Sequence, residues 1–127
     1  MKSMITRLVF TVGALVFIVP AVAAQGLPEG VTEQMITEGE TIFKAAGICF
    51  TCHGQDAKGV PGLGADLTDK EWTHSDGTYE DIVATIMKGA TNATGAAMPP
   101  KGGPPLTDDQ VKAVAAYVWS VSNKPSK

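Results

Sequence analysis

The sequence is short of the residues from which several common kinds of site are built. Only two cysteines and two histidines occur in 127 residues, and both cysteines lie within one four-residue window. A disulfide-stapled domain needs several spaced cysteines, and a structural zinc site needs four ligands. Basic residues are also few, 10 against 13 acidic ones. The chain therefore lacks the basic face that a nucleic-acid partner would require.

Strand-like alternation and internal repeats are also absent, and the one long apolar run is too short to span a membrane. This run, Leu8 to Val19, has 12 residues, whereas a spanning helix needs about 20. A positively charged segment precedes it, and Pro20 and several small residues follow it. The pattern predicts that residues 1–24 are a signal peptide, cleaved after Ala23 or Ala24. The alternative is an uncleaved membrane anchor.

Removal of the first 24 of the 127 residues leaves 103, enough for one domain at 25–127 with one modest core. Loss of Lys2 and Arg7 leaves 8 basic against 13 acidic side chains, a net charge of −5. We expect this domain to be exported to the periplasm, without stable membrane insertion after cleavage.

Helical spacing of apolar residues predicts an all-α domain with at least three short helices. The predicted helices run over residues 33–46, over 79–88, and from Asp108 towards the C-terminus. Thr32, Thr78 and Thr107 stand where N-caps are expected, and Gln110 completes a capping-box pattern. The predicted buried positions are Met35, Ile36, Gly39, Ile42, Phe43 and Ala46 in the first helix, Tyr79, Ile82, Val83 and Ile86 in the second, and Val111, Val114, Ala115, Val118 and Val121 in the third.

Two long glycine- and proline-rich stretches, at 54–75 and 90–106, separate these helices. Structureless stretches of this length are uncommon in so small a domain. Three short helices bury too little surface to hold them. A large apolar prosthetic group packed between the loops would supply the missing core.

The segment from Cys49 to His53 has the pattern C-x-x-C-H, on which haem is attached in c-type cytochromes. The thiols of Cys49 and Cys52 can each add to a vinyl group of the porphyrin, and His53 can then bind the iron. A redox disulfide of the thioredoxin kind is one alternative, but its motif belongs to a strand–helix context. Zinc is another, but His74 is the only further histidine.

Met98 is the candidate for the second axial ligand, since methionine is a common partner of histidine in cytochromes. It stands in a glycine- and proline-rich stretch outside any helical stripe, next to the stiff pair Pro99 and Pro100. Met35 and Met87 fall on or near helix faces and are expected in the core. His74 is the rival ligand, although a surface position suits it better.

The C-x-x-C-H motif, a Met98–Pro99 pair 45 residues later and a closing helix with aromatic residues resemble class I cytochrome c. The resemblance covers nearly all of residues 25–127. The stretch from Leu63 to Trp72 is most similar to the C-terminal haem domain in the dihaem subunit of haem-copper oxidases. The resemblance implies the cytochrome c fold, with helices and long loops around one covalently bound haem c.

Position in the family implies further roles. His53 would be the proximal and Met98 the distal iron ligand. The family has a proline 12 residues after the histidine, whose carbonyl accepts a hydrogen bond from the ring, and this chain has Ala65 there. Trp72 lies where the family often places a tryptophan near the haem propionates, or else it covers core. Gly39 and Phe43 resemble the residues that meet an aromatic of the last helix, here Tyr117 or, second, Trp119.

These features predict an electron carrier and no enzyme, since an iron with both axial sites filled cannot readily bind substrate. We expect no catalytic residues. The expected partners are a dehydrogenase or quinol-oxidising complex and a terminal oxidase, served by a monomer, with Lys58 and Lys101 near the haem as possible docking charges. The alternative is a haem c subunit of a periplasmic dehydrogenase or terminal oxidase complex. A sensor or enzyme with an open iron is a third class.

Overall fold

The computed structural model describes residues 26–93 and 95–124. The predicted signal peptide at 1–24 lies outside these residues. The helices in this described part are α1 (Glu33–Lys44), α2 (Phe50–His53), α3 (Tyr79–Lys88) and α4 (Asp108–Ser122). The same part contains strands β1 (Ala90–Thr91) and β2 (Ala97–Met98) and a 3-10 turn at Pro100–Gly102. Across the described residues, no helix is both long enough and apolar enough to span a bilayer.

The three predicted helices form, and each begins at its predicted cap. The hydroxyls of Thr32 and Thr78 accept hydrogen bonds from backbone N–H groups three residues further on, at 3.1 and 3.3 Å. At α4 the capping box is complete, because the Thr107 hydroxyl accepts from Gln110 N–H and the Gln110 side chain accepts from Thr107 N–H. These bonds satisfy helix donors that have no partner inside the helix.

Helix α1 ends at Lys44, two residues before the predicted end. The N–H groups of Ala45 and Gly47 both turn back to the carbonyl of Ile42, at 3.2 and 2.7 Å. The chain therefore leaves the helix before Ala46, which is exposed and does not extend the buried face.

Two short strands accompany the helices, although the sequence shows no strand-like alternation. Strands β1 and β2 pair antiparallel, with Ala90 opposite Met98, and an isolated bridge joins Val60 to Gly64. Two-residue strands are too short for an alternating pattern to be visible in the sequence. The hairpin starts directly after Gly89, whose φ of +78° ends α3 in the way that glycine permits.

Helix α4 is the centre of the core, since nine of its 15 residues are buried and it packs on both α1 and α3. Phe43 of α1 is 1% exposed, and its ring meets Tyr117 edge-on with centroids 5.2 Å apart. Gly39 lies at the crossing, where a β-carbon would overlap the carbonyl of Ala113 and come within 3.0 Å of the Tyr117 β-carbon. The absent side chain at Gly39 therefore allows α1 and α4 to touch, and Tyr117 is confirmed as the aromatic partner.

We predict that Gly39→Ala destabilises the folded protein although alanine is the better helix former. Alanine would gain about 1 kcal/mol of helix propensity. The overlap with α4 would cost more, since overpacking of a core costs about 1–3 kcal/mol. We expect a net loss of up to about 2 kcal/mol in the free energy of unfolding, measured by urea titration of the purified protein.

Glu38→Ala is the matched control, because Glu38 precedes Gly39 in the same helix and is exposed. Its effect is expected to stay within about 0.5 kcal/mol. A Gly39→Ala protein as stable as the Glu38→Ala protein would show that the two helices do not depend on this contact.

Candidate functional site

The C-x-x-C-H motif folds as a single helical turn. The carbonyl of Cys49 accepts from the N–H groups of Cys52 at 3.2 Å and His53 at 3.0 Å. Residues three and four apart on a helix are neighbours on its surface. The two thiols and the imidazole are therefore presented together, and all three side chains line one cleft.

A strained residue turns the chain from α1 into this motif. Ile48, directly before Cys49, has φ of +48°, a left-handed conformation that is rare for a β-branched residue. Its N–H donates to Ala45 O at 3.0 Å, which closes the turn. Strained backbone of this kind is concentrated at functional sites.

The His53 ring is oriented by a backbone carbonyl. Its Nδ1 lies 2.9 Å from the carbonyl oxygen of Ala65, and since a carbonyl only accepts, Nδ1 carries the proton. Nε2 is then the unprotonated nitrogen that can bind a metal. The hydrogen bond expected at Ala65 is therefore made without the proline that the family has there.

A short turn fixes the backbone that follows this carbonyl. Asp66 Oδ1 accepts from the backbone N–H of Thr68 at 2.7 Å and from its hydroxyl at 2.6 Å. These bonds hold the pKa of the Asp66 carboxyl below its ordinary value, the hydroxyl contributing most. Leu67 N–H donates to the carbonyl of the fully buried Ala57 at 2.8 Å. This turn was not predicted from the sequence, although an aspartate that bonds to the backbone two residues further on is a known turn signal.

Gly59 packs against the same carbonyl from the other side. A β-carbon on Gly59 would lie 2.7 Å from the carbonyl carbon of Ala65 and from the N atom of Asp66. The Gly59 N–H donates to His53 O at 2.7 Å. The loop after the motif is thus closed directly onto the histidine whose ring it orients.

The sequence suggested that Met98 lies in an irregular loop. In the structure it lies on strand β2. Its backbone pairs with Ala90 of β1, and its side chain is half-buried against the core. Gly89 supports it closely, since a β-carbon on Gly89 would overlap the Met98 carbonyl and lie 2.9 Å from Pro100 N. The hairpin and the two prolines after it fix the position of this methionine.

The side chains of Met98, His53, Cys49 and Cys52 line the same cleft, which has a volume of about 560 Å³. This size is within the usual 300–1,000 Å³ of small-molecule and cofactor sites. The walls are largely apolar and come from both long loops and from α1, α3 and α4. The cleft therefore brings together all four site residues predicted from the sequence.

The donor set fits haem c. Both thiols are free. Burial raises the pKa of the Cys49 thiol, so it stays protonated at neutral pH, and its sulfur donates to Gly47 O at 3.4 Å. Within residues 26–93 and 95–124, no cluster of three or more histidine, cysteine or acidic side chains is arranged to hold a metal ion. The zinc alternative thus finds no support in this part of the chain.

The remaining candidate residues lie around the cleft. Trp72 is half-buried in its wall. Gly77 packs on the indole, since a β-carbon added to Gly77 would lie only 2.9 Å from the Cδ1 atom of Trp72. His74 also lines the cleft, but its side chain is exposed, as expected for a surface histidine. Ile48 and Leu63, which were not predicted as site residues, are apolar residues of its lining and are 49% and 51% exposed.

The chain is similar to a family of oxidase subunits. The family described as cytochrome c oxidase, cbb3-type, subunit III matches residues 34–118. The cbb3-type cytochrome c oxidase subunit CcoP of Rubrivivax gelatinosus is 40% identical over 92 residues, covering 72% of this chain and 28% of that protein. Subunit FixP of Rhizobium etli is 38% identical over 96 residues, covering 72% and 32%.

A solved structure shares the fold. Cytochrome CL from the marine methylotroph Methylophaga aminisulfidivorans superposes with a TM-score of 0.58 at 30% identity, covering 72% of this chain and 55% of that one. The cytochrome c fold expected from the sequence is therefore confirmed.

The matched relatives are much longer proteins, since this chain spans 28% and 32% of CcoP and FixP. Their names place them in a cbb3-type cytochrome c oxidase. The likeness to a haem domain of a haem-copper oxidase subunit, inferred from Leu63 to Trp72, is confirmed. The family match includes α1, the C-x-x-C-H turn, the Met98 hairpin and most of α4. The chain belongs to the family of cbb3-type cytochrome c oxidase subunit III.

Proposed function

We propose that the chain is an exported cytochrome with one haem c, which passes single electrons between redox proteins. One observation carries the proposal. His53 and Met98 stand 45 residues apart in the sequence, yet both line the apolar cleft that also receives the two free thiols. Histidine and methionine together are the usual ligand pair of electron-transferring haem c.

Each site residue has a separate role in this proposal. Cys49 and Cys52 form the thioether links that hold the porphyrin in the cleft. His53 binds the iron through Nε2, because Nδ1 is engaged by Ala65, and the Met98 sulfur is the second axial ligand. When bound, the haem supplies the Fe(III)/Fe(II) couple. Filling both axial sites with protein side chains leaves no position for substrate, which is why we propose no catalytic residue.

The walls of the cleft tune that couple by excluding water. Phe43, Val114 and Val118 are at most 4% exposed and line it from α1 and α4. A low-dielectric surrounding disfavours the more highly charged state, and a methionine ligand acts in the same direction. Both effects favour Fe(II) and raise the reduction potential.

The proposal extends to the cellular setting. Residues 1–24 act as a signal peptide cleaved near Ala23 or Ala24, and residues 25–127 function as a monomer in the periplasm. The electron donor is a dehydrogenase or quinol-oxidising complex, and the acceptor is a terminal oxidase. A net charge of −5 before the haem propionates suits a less acidic partner surface.

The names of the relatives favour a second candidate, a haem subunit held within a terminal oxidase. Gel filtration of a native extract separates the two, with the purified protein run alone as the size reference. A free carrier is expected to elute at the position of the purified protein. Co-elution with a large oxidase would favour the subunit and contradict the free carrier.

We predict that Met98→Leu abolishes the methionine-to-iron absorption band of the oxidised protein. Leucine keeps the apolar volume but offers no sulfur. The haem c spectrum itself is expected to remain, since the thioether links do not involve residue 98. The vacated iron site is also expected to bind carbon monoxide in the reduced state.

Met87→Leu is the control, because Met87 is a half-buried methionine of α3 that does not line the cleft. It should keep the band and exclude carbon monoxide as the unmodified protein does. A band that persists in Met98→Leu would exclude Met98 as ligand. Rapid binding of carbon monoxide by the unmodified protein would support an open-iron sensor or enzyme.

We predict that Thr68→Val raises the reduction potential. The substitution keeps shape and charge but removes the hydroxyl that holds Asp66, and so loosens the turn that fixes the Ala65 carbonyl. A weaker bond to His53 Nδ1 makes the imidazole a poorer electron donor and destabilises Fe(III). One hydrogen bond is worth about 1 kcal/mol, which corresponds to an upward shift of at most about 40 mV for one electron.

Thr78→Val is a matched control, because the Thr78 hydroxyl donates to Asp76 at 2.6 Å in a second turn of the same kind. Thr78 also caps α3, so its loss should cost about 1 kcal/mol of stability. It should leave the potential unchanged, because this turn does not hold Ala65. Equal potentials in the two variants, or a downward shift in Thr68→Val, would contradict the proposed role of the turn.

A further inference from the structure

Lys101 follows the Met98–Pro99–Pro100 segment and has an unusual backbone. It lies inside the 3-10 turn Pro100–Gly102 with φ of +56° and ψ of +20°. The left-handed region costs a residue with a β-carbon about 1–2 kcal/mol, and glycine would adopt it without that cost. Two glycines with positive φ follow directly. A lysine at this position therefore needs a compensating contact.

The compensating contact is made by the side chain. Lys101 Nζ donates to the carbonyl oxygen of Leu106 at 3.1 Å and to Asp108 Oδ1 at 2.7 Å. Asp108 is the first residue of α4, and Leu106 is 6% exposed. The ammonium group lowers the pKa of the Asp108 carboxyl, first by hydrogen bonding and then by its charge. Lys101 thus ties the segment after Met98 to the start of the central helix.

This tie matters because the backbone between the two points has few donors. Four of the nine residues from 99 to 107 are prolines, which have no N–H group. The N–H groups of Gly102 and Gly103 bond back into the same segment, to Pro99 and Pro100. These bonds shape the turn but do not connect it to α4, whereas the Lys101 side chain does.

We propose that Lys101 is a positioning residue for Met98, which keeps the methionine sulfur on the iron by clamping the Pro99–Thr107 segment to α4. The inference rests on the proposed ligation by Met98. When Lys101 leaves Leu106 and Asp108, the segment can move away from α4 and carry Met98 off the iron. The clamp therefore sets the rate at which the iron opens, while the helical core stays folded.

Displacement of Met98 by imidazole tests this, because a neutral ligand enters the oxidised iron only after the sulfur leaves. Lys101→Met removes the ammonium group and keeps the apolar stem. We expect the limiting rate of imidazole binding to the oxidised holoprotein to rise roughly five- to tenfold, as expected for loss of a charge-assisted hydrogen bond that is partly exposed. Lys101→Arg retains donors for both acceptors and should return the rate towards that of the unmodified protein.

Lys112→Met is the matched control, since Lys112 forms an ion pair with Asp109 at 3.3 Å. Asp109 lies next to Asp108 in the first turn of α4. Lys112→Met removes the same charge without touching the Met98 segment and should leave the rate unchanged. An imidazole-binding rate that is unchanged in both Lys101→Met and Lys112→Met would overturn the inference. An equal increase of this rate in both variants would attribute the effect to charge and would also overturn it.

The result is separable from the proposed function. A methionine-to-iron band that is absent from the unmodified protein, or that survives Met98→Leu, would remove the ligand itself. A band that depends on Met98, with a rate insensitive to Lys101, would reject the clamp alone. If Lys101→Met does not fold, Asp108→Asn replaces it as the test variant and Asp109→Asn serves as the control. Faster imidazole binding in Asp108→Asn alone supports the clamp, and equal binding rates in the two variants reject it.

Discussion

The structure depends most on the hydrogen bond between His53 Nδ1 and the Ala65 carbonyl. It fixes which ring nitrogen is free, and it therefore decides that the histidine can act as a metal ligand. It also brings the middle of the first long loop back to the motif. The Asp66–Thr68 turn and the packing of Gly59 both act on this one carbonyl. This part of a loop without regular secondary structure is thus ordered close to the histidine.

Backbone strain is concentrated at the same site. Within the part of the chain that the structure describes, the non-glycine residues with positive φ are Ile48, Ala57 and Lys101. Ile48 precedes the first thiol, Ala57 accepts the bond that anchors Leu67, and Lys101 follows the Met98 hairpin. Strain of this kind persists only when surrounding contacts over-determine the conformation. Its distribution indicates that the positions of the candidate ligands, more than the helix crossing, required departures from the easiest backbone.

Much of the helical frame could be predicted from the sequence, because its determinants are local. Thr32, Thr78 and Thr107 cap helices whose apolar periodicity lies within a few residues of each cap. The Met98 hairpin could not be predicted in this way. Its two residue pairs join residues that are eight and six positions apart, and its strands are too short to show an alternation of apolar and polar residues. The motif predicted Cys49, Cys52 and His53 as site residues, but their convergence with Met98 depends on long-range packing. The Lys101 contacts depend on a backbone conformation that favours glycine and that no sequence rule assigns to lysine.

The division between helices and loops has a consequence for how the site can change. Helices α1 and α4 meet so closely at Gly39 that there is no room for a β-carbon, so their crossing admits little adjustment. The orientation of His53, in contrast, depends on a loop carbonyl, and the position of Met98 on a hairpin and a proline-rich segment. Bonds in these loops can weaken one at a time without opening the core, because loop segments have lower local stability than packed helices. The geometry of the candidate ligands and the overall stability are thereby separable in this fold, so one helical frame can accommodate sites that hold these side chains more or less tightly.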